Sequence, residues 1–72
     1  MLIVRFKEDR PDSEIKKGDV FTADRHTYES DCKIVLLNRI PDGFDPQSSA
    51  YNHEVELFNK GKWFSIRCSC CN

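Results

Sequence analysis

The side chains best suited to chemistry are four cysteines and two histidines. Three cysteines crowd the C-terminus as Cys68-Ser69-Cys70-Cys71, Cys32 lies mid-chain, and His26 and His53 complete the set. Thiolates and imidazoles are the usual ligands of tetrahedral zinc, so Cys32, Cys68, Cys70 or Cys71 with either histidine would form a donor set. The spacing argues against it, because a zinc knuckle separates its paired cysteines by two or more residues. Alternation does put Cys68 and Cys70 on one face of an extended C-terminal strand, which keeps a zinc-stabilised fold as an alternative. A disulfide scaffold suits an oxidising compartment, yet Leu2-Ile3-Val4 is too short an apolar stretch for a secretory signal. The expectation is therefore free thiols acting as small hydrophobes in a cytoplasmic protein, with no metal and no cofactor. Nothing in the spacing sets a thiol beside an imidazole, and Gly18, Gly43 and Gly61 are too scattered to cradle a phosphate. Catalysis is not expected.

Binding is the other chemistry on offer. Residues 19–58 hold eight acidic side chains against three basic ones, whereas residues 59–72 hold Lys60, Lys62 and Arg67 with no acid. The middle of the chain is thus an acidic belt between mildly basic ends, within a net charge of −1. Such a balance disfavours direct nucleic-acid binding, which needs a clustered Lys/Arg excess to neutralise phosphates. Aromatic side chains on loops and outward strand positions are the residues that protein interfaces favour. Phe44, Tyr51, Tyr28 and Trp63 answer to that description. Taken with the belt, Asp42, Phe44, Asp45, Tyr51, Glu54 and Trp63 are the expected binding residues, and another protein is the expected partner.

These residues need a scaffold, and 72 residues allow only a small one. With 39% hydrophobic content and eight aromatics, the chain has apolar surface to bury, unlike a disordered tail. No apolar run approaches the length of a membrane helix. Leu2 to Lys7 alternates, with Leu2, Val4 and Phe6 on one face. Val20 to Asp24 is a second strand. Lys33 to Ile40 is the strongest, with Ile34, Leu36 and Ile40 opposite Val35 and Leu37. His53 to Phe58 and Trp63 to Cys68 complete five strands, the last pair joined by a hairpin turn at Asn59-Lys60-Gly61-Lys62. Pro41 to Pro46 is a turn that runs on as a loop through Gln47-Ser48-Ser49-Ala50, and Ser13 to Lys17 has room for one helical turn. Val20, Ile34, Leu36, Val55, Leu57, Phe64 and Ile66 are the expected core. Five short strands bury their apolar faces best by curling into a single small barrel.

The stretch Glu14-Ile15-Lys16-Lys17-Gly18-Asp19-Val20-Phe21 resembles the diverging turn of SH3 domains, where Gly-Asp leads into the second strand. The resemblance covers about eight residues and implies an all-β, SH3-like five-stranded barrel. It does not extend to the proline-peptide groove, since Phe6-Lys7-Glu8-Asp9-Arg10 and Ile34-Val35-Leu36-Leu37 stand where that groove has its aromatics. In its compactness and charge density the chain also looks like a small bacteriophage accessory protein. The resulting expectation is a non-enzymatic protein-binding module, of a phage type that inhibits or redirects a host factor. A zinc-stabilised barrel and an acidic decoy that mimics nucleic acid are the alternatives.

Overall fold

Period-two alternation organises the chain, and where the alternation breaks the fold departs from expectation. A computed structural model describes residues 1–25 and 33–66. Within them the chain forms six strands, β1 (Leu2–Phe6), β2 (Val20–Arg25), β3 (Lys33–Ile40), β4 (Ser49–Tyr51), β5 (Val55–Asn59) and β6 (Lys62–Ser65). They make one antiparallel sheet in the order β4-β3-β2-β1-β5-β6, curled into a half-barrel. The all-β, barrel-like architecture matches the sequence, but the strand count is six rather than five. The sixth is β4, three residues of the stretch read as loop, which pair with β3 as Ile34–Ala50 and Val35–Ser49. Two short 3-10 turns, Pro11–Ser13 and Asn52–Glu54, replace the single helical turn expected at Ser13 to Lys17. The second also delays the start of β5 from His53 to Val55.

Val4, Phe6, Ile15, Phe21, Ala23, Ile34, Leu36, Ala50 and Val55 form the buried core on the concave side. Phe6 and Phe21 meet edge to face at 5.7 Å, a favoured geometry for two aromatic rings. Ile15 reaches this core from the connection between β1 and β2. The backbones of Arg10 and Ile15 exchange two hydrogen bonds across the first 3-10 turn, turning the intervening residues into a tight lobe. Within the SH3-resembling stretch, Lys16 to Asp19 make a four-residue turn that leads into β2. Asp19 N–H donates to the Lys16 carbonyl at 3.0 Å, and Gly18 sits at φ 91°, which a side chain would strain.

Four expected core positions, Val20, Leu57, Phe64 and Ile66, lie outside the buried core. Val20 pairs with Arg5 on the convex face and is only half-buried, while its neighbours Phe21 and Ala23 turn inward. Phe64 does lie on the concave side, opposite Leu57, yet is 47% exposed. An open half-barrel leaves its terminal strand overhanging, with nothing among the described residues across from it to cover the ring. Leu57 and Ile66 pack at the margin of the core rather than within it. Ile40 is 42% exposed and does not share the buried face of Ile34 and Leu36. Between the pairs Phe21–Arg39 and Ala23–Leu36, β3 carries one residue more than β2. That bulge reverses the alternation of everything after it and bends the sheet.

Candidate functional site

The six expected binding residues fall into separate neighbourhoods. Asp42 and Phe44 belong to the β3–β4 connection, where Arg39 organises both. Arg39 N–H donates to the Phe44 carbonyl and Gly43 N–H to the Arg39 carbonyl, each at 2.7 Å, closing the loop. The Arg39 guanidinium makes a two-pronged contact with the Asp42 carboxylate, 2.8 Å at its shortest. It also reaches Asp19 at 3.4 Å and lies 4.9 Å from the Phe44 ring centroid. Hydrogen bonding to Arg39, then to the Phe44 N–H, holds the Asp42 carboxyl below its ordinary pKa. The same bond raises Arg39 above the ordinary arginine value, against a smaller desolvation effect. Arg39 was not among the expected site residues. The bulge in β3 brings it to this position, and a bulge has no period-two signature.

Asp45 accepts a hydrogen bond from Gln47 N–H at 2.9 Å, an Asx turn that fixes the next corner. It lines an open groove of about 630 Å³ beside β3, together with Val35, Leu37 and Ser48. Tyr51 and Glu54 form the next neighbourhood. Glu54 accepts from the Tyr51 N–H at 2.8 Å, and its other oxygen stands 3.9 Å from Arg10. The exposed Tyr51 ring stacks on His53 at 5.5 Å, with the Lys33 ammonium 5.2 Å from its centroid.

Trp63 lies apart from these, on the convex face of β1, β5 and β6. Phe58 pairs with Trp63 across β5 and β6, their rings 5.1 Å apart and edge to face. Ile3 stands in the same cross-strand row, one residue beyond the Val4–Leu57 pair. The Arg5 guanidinium lies 4.4 Å from the Trp63 ring centroid while bonding to Glu56 at 2.8 Å. Ile3 and Phe58 are both exposed, Phe58 to 41%. Sequence reading found Trp63 in this row and missed Phe58 and Ile3. The outward parity of Phe58 was visible, but that it would stand beside Ile3 depends on β1 pairing with β5, which sequence spacing does not encode.

Among the described residues, no three histidine, cysteine or acidic side chains gather as a metal site. All four cysteines, with His26 and Tyr28, lie outside the described residues, so the alternative zinc ligands Cys32, Cys68, Cys70 and Cys71 have no position here. No described helix is long and apolar enough to cross a membrane. Compared with known protein families, curated proteins and solved structures, the chain matches none.

Proposed function

We propose that the chain is a non-enzymatic protein-binding module, and that its contact surface is the convex row of Ile3, Phe58 and Trp63. The observation that carries this reading is the exposure of Phe58 and Ile3 beside Trp63, in one cross-strand row of a regular sheet. Rigid aromatic side chains on a sheet lose little freedom on binding and bury much apolar area, which is why they dominate interface energetics. The acidic belt supports the reading less directly. Asp19, Asp42, Glu54 and Glu56 all face arginines of the same chain. Carboxylates already engaged internally serve better to shape loops than to imitate a phosphate backbone, so the decoy alternative is weaker. In the phage-type setting that the chain's make-up resembles, the bound protein is a host factor that the module inhibits or redirects. The test is capture from lysate of the source cell, with mass spectrometry of the eluate, by the wild-type chain and by Phe58→Ala. A protein retained by the first and lost from the second is expected. Equal capture by both overturns the assignment of the surface.

A further inference from the structure

The geometry points to a specific mode for that partner: the edge of β6 left unpaired among the described residues receives an extended acidic segment as an added antiparallel or parallel strand. The inference rests on the protein-binding reading and names the chemistry of its partner.

β6 is the last strand of the sheet, and among the described residues it pairs with β5 alone. Its register fixes which backbone groups are available. Asn59 and Lys62 are opposite one another across Lys60-Gly61, which both have positive φ, 51° and 80°. That is the two-residue hairpin whose closing pair exchanges both hydrogen bonds. Alternation then turns the N–H and C=O of Lys62 and Phe64 toward β5, and those of Trp63 and Ser65 outward. An incoming strand therefore meets a ready ladder at residues 63 and 65.

The side chains say what kind of strand fits. On the concave side Phe64 is 47% exposed, beside the half-buried Leu57 and Ile66, so an apolar side chain on the incoming strand would continue the core over it. Among the described residues, the charge along the edge is positive. Lys60 lies in the turn and Lys62 closes it, Lys7 Nζ stands 3.4 Å from Ser65 Oγ, and the sequence has no acid after Glu56. Glu56 itself is held by Arg5. Opposite charges across neighbouring strands stabilise a pair and like charges oppose it. The lysines thus disfavour a second copy of this same edge, as edge lysines commonly do, while favouring a strand that alternates acidic and apolar residues.

The test uses a capped synthetic peptide of alternating glutamate and valine, with a lysine-for-glutamate peptide as control. Added to the isotope-labelled full chain, the acidic peptide should slow amide exchange at Trp63 and Ser65 by roughly tenfold or more, and the basic peptide should not. Ser65→Pro removes an outward donor at an edge position where proline is tolerated, and should abolish the protection while leaving the sheet's other amide signals in place. Should that variant fail to fold, Lys60→Asn with Lys62→Gln keeps the backbone edge and should weaken binding and its salt dependence. Absence of protection, equal protection by the basic peptide, or slow exchange at both amides before any peptide is added overturns the inference. So does a single-stranded oligonucleotide that displaces the acidic peptide. A captured protein partner lost from Phe58→Ala but kept by Ser65→Pro would overturn strand addition while leaving the protein-binding reading intact.

Discussion

Arg39 grips Asp42 through a two-pronged ion pair, and by doing so fixes the shape of the connection between β3 and β4. The pair has a pH signature. Because Arg39 holds Asp42 below the ordinary 3.8, the folded chain keeps this carboxylate charged to a lower pH than the unfolded chain does. A depressed carboxylate adds stability that is complete above the unfolded value and is lost as pH falls through the folded one. Wild type should therefore be more stable than Asp42→Asn near neutrality, with the gap closing below about pH 4. Urea melts of both chains across that range check it. A gap independent of pH would mean that the ion pair does not contribute through its charge.

The core makes a sharper contrast. Leu36 is 2% exposed and Phe64 is 47% exposed, although both point to the concave side. Leu36→Ala should cost about 2–5 kcal/mol, a large share of what a domain this small possesses. Phe64→Ala should cost about 1 kcal/mol or less, because the ring remains half in water in the folded chain. Denaturant melts of the two variants decide the matter, and equal costs would mean that the overhang of β6 is covered in solution.

That contrast shows what the sequence could and could not convey. The bounds of β3 and the turn at Lys60-Gly61 were legible, since a run of β-branched and leucine residues and a Gly-containing turn act locally. The inward parity of Phe64 was legible too. Its exposure was not, because coverage depends on whether the sheet closes, a property of six strands together. Ile40 was misplaced for a related reason. Its parity follows from Leu36 only if the ladder runs without interruption, and the bulge intervenes. Val20 was misplaced because a short strand of mixed residues fits either parity, and the pairing of Val20 with Arg5 decides it. Among the candidate binding residues, Asp42 and Phe44 were recognisable by type, but their common partner Arg39 was not, because the bulge in β3 interrupts the alternation that would have placed it.

The hairpin turn offers a separation of stability from binding. Lys60 adopts φ 51°, a conformation that costs an ordinary side chain more than it costs asparagine. Lys60→Asn creates the Asn-Gly pair favoured in this turn and should stabilise the chain by a few tenths to about 1 kcal/mol. The same change removes one positive charge from the β6 edge. A higher denaturation midpoint together with weaker binding of the acidic peptide is the expected outcome, read from urea melts and peptide titration. Stronger binding would mean that edge preorganisation outweighs the charge.

The remaining prediction separates a protein interface from a nucleic-acid decoy. Both readings allow salt to weaken the complex, since both place charge at its rim. They differ over rings and carboxylates. A protein interface on the convex row should lose roughly tenfold or more in affinity when Phe58 or Trp63 becomes Ala, because a ring buried at a contact is worth far more than a rim charge. Charge reversal at Asp45, whose carboxylate accepts from the Gln47 N–H of its own turn, should matter little. A decoy reverses this order and competes with DNA or RNA for its target, as a protein interface centred on Phe58 need not. Affinity measured for Phe58→Ala, Trp63→Ala and Asp45→Lys, with and without competing duplex, distinguishes them. Ring deletions that leave affinity intact while Asp45→Lys abolishes it would replace the protein-binding module with the decoy, and the convex row would then be ordinary exposed sheet.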